Sequence, residues 1–563
     1  SSCMIAFSVL LCLALYALRH DIRQLPLLGA ALLCMLYATG GMMHERYLFP
    51  AVALLLYAYI LQRDRRILLL ALGVTITGLF NVGCALDRNI RIGGAAAHLS
   101  APACAIVSDM AALEYIAAAG NCLLCAYAVY LSAVLCRAET KARVFAASTS
   151  QASAGGAETK PAHPLPSREP LRKMTKRDWL IMLLTTALYA ALAFTNLGSL
   201  KAPQNAWTSD SPEEQVTIDL GEARDFRMLY YCGIHWYDVT FTVEISPDGE
   251  SWNGIFSAAA KQGDCFKWKY LPMYSAGDTP AELSGRYVRI TAGSTGLTLF
   301  ETLFRDAQTG ETLPVADVQS STGNIACAAL IDEQDTLEGE PGWYNSTYFD
   351  EIYHARTAYE HLHSLRPYET THPPLGKVLM SFAIAVFGMT PFGWRFAGTL
   401  AGVLMLPCMY LLGKLLFKQK WGGLGAMTLL ALDLMHFTQT RIATIDSFVV
   451  LFIIWSLYFM LRWFMADYFA RPFIRSLPPL ALSGLFMGLA VASKWTGCYA
   501  GVGLAIIFFW GIYRRAREVR AAQAILAEKR SDKAISEEER SACTAVAELG
   551  ARSLLLTAAS CLI

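Results

Sequence analysis

The chain has 563 residues, 55% of them hydrophobic and 17% charged, with a mean hydropathy of +0.36. This places it among membrane proteins rather than soluble multidomain enzymes. A formal net charge of +1 carries no nucleic-acid signal, and no nucleic-acid partner is expected. The 15 cysteines are scattered through mostly apolar segments without repeated metal-type spacing, so no metal centre is expected. Cys122 and Cys125 form a C-x-x-C inside a hydrophobic helix and read as small packing residues. The sequence opens without a methionine or signal peptide and stops in an apolar run, Ser553 to Ile563, as expected of a fragment cut at both ends.

Apolar runs of about 17–25 residues are candidate membrane helices. They fall near 3–18, 25–41, 47–61, 67–83, 112–136, 179–197, 395–417, 422–439, 446–464, 478–493 and 497–513, with another starting near 553. The basic clusters are Arg19/Arg23, Arg63/Arg65/Arg66, Arg137/Lys141, Arg168 to Arg177, Lys414/Lys418/Lys420, Arg471/Arg475 and Arg514/Arg515/Arg517. With these helices all of them fall on one side, which the positive-inside rule makes cytoplasmic. The apolar run Leu375 to Phe387 is short for a span, and if it crossed, every later basic loop would invert. It is therefore expected to lie along the outer surface as an amphipathic or re-entrant helix.

Residues 1–137 read as the C-terminal part of a first multi-helix membrane module. Its polar knot, Met43-His44-Glu45-Arg46-Tyr47-Leu48-Phe49-Pro50, resembles a motif of the mannosyltransferases that act on glycolipid anchors. The competing reading is a helix-start loop in which Glu45 and Arg46 pair. Asp87 to Asp109, external by the same count, carries no usable motif. Residues 138–177, rich in Ala, Ser, Pro and charge, read as a flexible cytoplasmic linker. Residues 178–199 then supply the first helix of a second membrane module.

Residues 200–310 change character. Gln215-Val-Thr-Ile-Asp-Leu, Val239-Thr-Phe-Thr-Val-Glu-Ile, the turn Ser246-Pro-Asp-Gly249 and Arg286-Tyr-Val-Arg-Ile alternate apolar with polar residues. That pattern predicts an antiparallel β-sandwich. With "Val-Glu-Ile-Ser-Pro-Asp-Gly-Glu-Ser-Trp" and "Gly-Arg-Tyr-Val-Arg-Ile", the segment resembles the discoidin or coagulation-factor type C domain. The resemblance implies a jelly roll, often a carbohydrate-binding module, whose ligands meet loops at one end. Trp207, His235, Trp236 and Tyr237 are candidate glycan-stacking residues, with a place in the core as the alternative. Cys232 and Cys265 are both external and could pair, though spacing alone does not show the geometry.

Residues 311–394 read as an extracytoplasmic loop with surface helices, and 395–563 as the remaining membrane helices. Acids, bases and tyrosines crowd into Trp343-Tyr-Asn-Ser-Thr-Tyr-Phe-Asp-Glu-Ile-Tyr-His-Ala, Tyr368-Glu-Thr-Thr-His-Pro-Pro-Leu-Gly-Lys377 and Phe392-Gly-Trp-Arg395. Polar clusters beside a membrane mark functional sites. Asp350 and His354, four apart, share a helix face. This ordered set, continued by Arg441-Ile-Ala-Thr-Ile-Asp446 and Ala492-Ser-Lys-Trp-Thr-Gly497, resembles the protein O-mannosyltransferases from about Asp178 to the end, minus the insertion. The resemblance implies a polytopic α-helical C-type glycosyltransferase fold and a polyprenyl-phosphate mannose donor. It also implies protein or glycan hydroxyl acceptors, inversion at the anomeric carbon and no metal-dependent chemistry.

Such a transfer needs a base for the acceptor proton, cations for the departing phosphate and an apolar groove for the lipid. Asp350 is the expected base and Glu351 the orienting acid, with an exchange of roles left open. Lys377, Arg395, Arg441 and Lys494 are the cations available for phosphate; for Arg395 the alternative is a snorkelling helix-end residue. Asp446 could pair with Arg441 in a structural role. His354, His372 and Tyr353 are candidate acceptor-side or site-shaping residues. The expected protein is thus an integral membrane transferase, in a bacterial plasma membrane, acting on the extracytoplasmic face. The alternatives are a transferase of the same fold that modifies a lipid or cell-wall polymer, and a transporter or receptor using the sandwich as a sugar sensor.

Overall fold

The computed structural model describes residues 2–17, 21–39, 48–95, 115–135, 173–272, 280–466, 477–528, 543–544 and 546–547. Most of the 138–177 linker, residues 43–47 of the polar knot, most of 87–109 and the helix expected near 553 lie outside these residues. The chain forms two compact units, divided after Ala162.

The first unit is helical: α1 (Ser2–Ala17), α2 (Leu25–Thr39), α3 (Phe49–Gln62), α4 (Arg65–Ala95) and α5 (Tyr115–Leu135). Leu27, Ala31, Leu55, Leu70, Val74, Ala128 and Leu131 make its core. Cys125 packs against that core, whereas Cys122 lies on the exposed face of α5.

The second unit begins with α6 (Lys176–Phe194), whose Thr175 and Asp178 form a capping box. It continues after the β region with α7 (Glu351–Leu362), α8 (Leu375–Phe387), α9 (Pro391–Phe417), α10 (Lys420–Ala431) and α11 (Leu434–Thr440). The chain then forms α12 (Asp446–Met465), α13 (Leu477–Ser493) and α14 (Gly497–Glu528). The single helix expected over 422–439 is broken, because the Asp433 carboxylate accepts from the N–H groups of Met435 and His436 and starts α11 anew. Among the described residues five helices are long and apolar enough to cross a membrane: α5, α6, α9, α12 and Gly497–Ala524 of α14. With its several spans and apolar helices the chain is an integral membrane protein. At 13 residues α8 is about 20 Å long, short of the roughly 30 Å hydrocarbon core. Gly376, Lys377, Met380 and Ile384 are buried, whereas Phe382 and Val386 are exposed.

Between α6 and α7 the chain forms eight antiparallel strands: β1 (Trp207–Thr208), β2 (Gln215–Cys232), β3 (Val239–Ser246), β4 (Asn253–Ala260), β5 (Trp268–Tyr270), β6 (Leu283–Ala292), β7 (Thr298–Asp306) and β8 (Asp317–Ser320). The long β2 belongs to two layers. Its first half lies between β6 and β8, and its second half between β5 and β7. The change of layer occurs where the register shifts between Asp219 and Arg224. There Gly221 takes φ +80°, its N–H donates to Asp219 Oδ1 (2.7 Å), and Arg286 grips the same carboxylate with two 2.8 Å bonds.

Alternation along the second half of β2 then serves two cores. Met228, Tyr230 and Cys232 fill the sandwich with Phe226, Phe241, Val288, Ile290 and Phe304. Leu229 and Tyr231 face the other way, joining Phe266, Trp268, Phe300 and Leu303 against Ala355 and Ala358 of α7, Met380 and Ile384 of α8, and Trp394 of α9. The sandwich is therefore welded to the helices, and its boundary runs past 310, since β8 and the 3-10 turn Ile325–Leu330 complete it.

The same alternation corrects two expectations. Trp207 is fully buried in the sandwich with its indole N–H directed at Glu214 (3.3 Å), so it offers no surface to a glycan. Cys232 and Cys265 are free, one in each core, so their side chains point apart. Residues 200–310 produced alone should aggregate or melt without cooperativity, since they lack β8 and expose the second core. A monomeric, cooperatively melting fragment by circular dichroism would show that neither contact matters.

Candidate active site

The acidic loop is anchored before it reaches solvent. Ser346 Oγ accepts from the Trp268 N–H, and the Thr347 hydroxyl donates to the Cys265 carbonyl (2.6 Å). Phe349 then takes a left-handed φ of +51°, a conformation costly for a non-glycine residue, and α7 begins at the next turn. Asp350 stands at the N-cap of α7, half-buried and without a side-chain capping bond; Glu351 opens the helix fully buried.

Glu351 is the most tightly held acid in the site. Its Oε1 accepts from Arg395 Nε (2.7 Å) and the Ala443 N–H (3.0 Å); its Oε2 accepts from Arg395 Nη2 (2.7 Å) and the Tyr348 N–H (2.9 Å). All four lone-pair directions of the carboxylate are thereby used. Arg395, expected at the donor phosphate, is itself buried, and its remaining bonds go to the carbonyls of Leu197 (3.0 Å) and Ser346 (3.3 Å). Its guanidinium therefore ties α9 to Leu197, Ser346 and Glu351 instead of facing a ligand.

Lys377 is occupied in the same manner. Buried near the start of α8, it gives its three N–H bonds to the Glu369 carboxylate, the Glu369 carbonyl (2.8 Å) and the His372 carbonyl (3.1 Å). Glu369 also accepts from Thr371 and from the His372 N–H. Burial raises its pKa, but the Lys377 and Thr371 bonds outweigh that and hold the carboxyl down at about 2. Sequence reasoning missed Glu369, although it sits inside the Tyr-Glu-Thr-Thr-His stretch; the lysine eight residues on was its available signal.

The two remaining cations differ. Arg441 Nη2 donates to the carbonyls of Thr195 (2.6 Å) and Asn196 (2.8 Å), closing the C-terminal end of α6, while its buried Nε has no protein partner. Lys494 pairs with Asp446 at 2.8 Å, so the Asp446–Arg441 pair considered from sequence is replaced by Asp446–Lys494. Both members of that pair keep solvent exposure, 20% for the lysine side chain and 51% for the aspartate. Lys494 and Arg441 thus both keep donors that no group among the described residues takes up.

His354, one turn beyond Asp350, and His372 bring their rings to 6.4 Å. The Nδ1 atoms of both are buried without a protein partner. Burial drives the His354 pKa down to about 4, with Glu369 opposing and Lys377 adding to the shift. Its imidazole is therefore neutral at pH 7. Asp446 and Lys494 act on it from α12 and the segment after α13, and Trp495 donates its indole N–H to the Thr371 carbonyl (3.2 Å). The structure so gathers His354, His372, Lys377, Asp446 and Lys494 into one polar cluster against α7, the helix that Glu351 opens.

Tyr353 stacks on Tyr368 (6.2 Å, 4° between planes), and Trp236 meets Tyr368 edge-on (5.6 Å). Tyr237 is 82% exposed. Among the described residues one acidic triplet, Glu301, Asp332 and Glu333, has carboxylate oxygens within 4.8 Å of one another. It lies in the β region, with Glu301 Oε2 accepting from the Glu333 N–H and Glu333 Oε2 from the N–H groups of Gln204 and Asn205.

Removing one partner of a buried ion pair leaves an uncompensated charge, costing about 3–5 kcal/mol. Arg395→Ala should therefore lower the melting temperature of the purified, detergent-solubilised chain sharply. Arg395→Lys should not restore it, since lysine lacks the two-pronged geometry. An Arg395→Ala protein melting with the wild type would overturn the structural role.

Residues 385–526 match the family model described as dolichyl-phosphate-mannose-protein mannosyltransferase. A polyprenol-phosphate-mannose–protein mannosyltransferase of Mycobacterium tuberculosis is 28% identical over 172 residues, covering 27% of this chain and 30% of that protein. The corresponding protein of Mycolicibacterium smegmatis is 26% identical over 195 residues, 31% of this chain and 37% of its own. Dolichyl-phosphate-mannose–protein mannosyltransferase 1 of Saccharomyces cerevisiae is 22% identical over 206 residues, 34% and 25%. The chain thus spans about a third of the length of the mycobacterial relatives it matches. The matched residues run from the end of α8 through most of α14, so the similarity lies in the membrane helices that follow the acidic loop.

Proposed function

We propose that this protein transfers mannose from polyprenyl-phosphate mannose to a hydroxyl of a protein acceptor, with Asp350 as general base. The observation that carries this reading is the unequal state of two neighbouring acids. Glu351 has every lone pair committed, whereas Asp350 is half-buried at the exposed end of the same helix. Asp350 takes the acceptor proton as the hydroxyl oxygen attacks the anomeric carbon; the bond from that carbon to the phosphate oxygen breaks, and the lipid phosphate leaves. One displacement of this kind inverts the anomeric centre. Lys494 and Arg441 are the cations assigned to the phosphate, and Glu351, through Arg395, holds Asp350 in register. Neutral His354, with His372 beside it, supplies hydrogen-bonding nitrogens on the acceptor side, and no step calls for a metal.

The distribution of basic loops supports an extracytoplasmic site, in a bacterial plasma membrane, with α8 lying along the surface. A membrane-impermeant thiol reagent applied from outside should label Lys201→Cys and miss Lys418→Cys. Equal labelling would sink the arrangement.

The catalytic assignment is tested by transfer of radiolabelled mannose from polyprenyl-phosphate mannose to threonine peptides by the reconstituted chain. Asp350→Asn should melt like the wild type and lose about two to four orders of magnitude in turnover, the worth of general-base help. Near wild-type turnover by a folded Asp350→Asn protein would refute the assignment. Glu351→Gln should instead lose stability and activity together.

A further inference from the structure

The two faces of α14 are unlike. On one, Leu504 and Phe508 share a core with Met460 and Trp463 of α12, and a Cβ at Gly511 would lie 2.8 Å from the Trp463 ring. Two arginines close that face. Arg515 donates to the Trp463 carbonyl (2.8 Å) with its guanidinium 3.9 Å over the Trp463 ring, and Arg514 donates to the Phe464 carbonyl (3.4 Å). Both are thus engaged with the last turn of α12, whose terminal carbonyls favour cations.

The opposite face carries a groove of about 670 Å³, lined by Val502, Ile506, Phe509, Trp510, Tyr513 and Arg517. All six are exposed, and their spacing keeps them in one stripe along the helix. The short side chain of Ala505 lies between Val502 and Phe509 and leaves the hollow. The lining is graded: apolar from Val502 to Phe509, then indole, then a phenol hydroxyl, then a guanidinium. Among the described residues nothing bonds to the Arg517 guanidinium.

Three features select the occupant. Gly497–Ala524 is long and apolar enough to span, so this face meets the hydrocarbon of a bilayer. From Val502 to Tyr513 the helix rises about 16 Å, close to the depth of one leaflet of a roughly 30 Å hydrocarbon core. The cation lies at the end of α14 where the basic residues gather, which the positive-inside rule makes cytoplasmic, and Trp510 and Tyr513 stand below it as interfacial aromatics do. A lipid-linked mannose does not fit this polarity, because Lys494, assigned to its phosphate, precedes the other end of α14.

We infer that the groove binds one anionic phospholipid of the cytoplasmic leaflet, with an acyl chain along Val502, Ile506 and Phe509 and its phosphate held by Arg517 and the Tyr513 hydroxyl. The site takes its side of the membrane from the orientation above and is independent of the transferase chemistry.

The test uses the full chain in phosphatidylcholine bilayers that carry a small fraction of a lipid brominated on its acyl chain, which quenches any tryptophan it touches. The difference from a Trp510→Phe variant isolates Trp510. Brominated phosphatidylglycerol should reach half-maximal quenching at about one fifth of the mole fraction that brominated phosphatidylcholine needs, the worth of one arginine near a membrane surface. Arg517→Gln should bring the two lipids level, and so should Ala505→Phe, which fills the hollow. Both positions are exposed, so neither variant disturbs the packing of α14 on α12. Equal quenching by the two lipids in the wild type would mean ordinary bilayer contact and overturn the site. A phosphatidylglycerol preference that survives either substitution would overturn it too. So would the absence of quenching by both lipids, which would mean that protein covers this face, from a second copy or from Ser553 to Ile563. No outcome depends on turnover, so failure of the transferase reading leaves the test intact.

Discussion

The rest of the second unit depends on one buried ion pair. Glu351 and Arg395 lie 2.7 Å apart at near-zero exposure, where desolvation of each charge is costly and only full hydrogen bonding offsets it. The pair meets that condition by recruiting backbone from everywhere around it. Leu197 follows α6, Ser346 and Tyr348 precede α7, and Ala443 precedes α12. A hydrophobic pair of equal volume would fill the space but would not fix the positions of those four groups. Here the charges specify geometry, and the geometry they specify is the start of α7, where Asp350 sits.

The second constraint comes from β2. Because neighbouring residues of a strand point to opposite faces, residues 228–232 build the sandwich and its attachment to α7 and α8 together. A sandwich tethered by linkers could drift relative to the acidic loop. This one shares a core with it, and the bond from Arg356 of α7 to the His235 carbonyl adds a directional contact to that apolar one. The β2–β3 loop is therefore held at a fixed place beside α7.

Much of this fold was legible in the sequence, because length and apolarity suffice to find a membrane helix and alternation suffices to find a strand. The helices at 2–17, 25–39, 49–62 and 446–465 fall within a few residues of their expected positions. Partners were not legible. Arg395, Lys377 and Trp207 were read by residue type as two phosphate cations and a sugar platform, and all three are buried by contacts with residues from 5 to 198 positions away. No local pattern records that Glu369 will meet Lys377, or that Asp433 will break a helix whose flanks are apolar. The sandwich boundary was missed for a related reason. The strand β8 has only four residues, too few to show alternation, and is recognisable by its pairing with Val216 to Asp219.

The two acids show how far residue type can be taken. Asp350 and Glu351 are adjacent, chemically alike and about 100° apart around a helix. That rotation sends one into the interface with α9 and α12 and leaves the other at the end of α7. The strained Phe349, at φ +51°, fixes where the helix begins and therefore which acid turns inward. The extra methylene of glutamate suits the inward position, where the carboxylate must reach both arms of Arg395 and two backbone N–H groups at once. An aspartate there would fall about 1.5 Å short. The order of the two acids is thus a consequence of the hub.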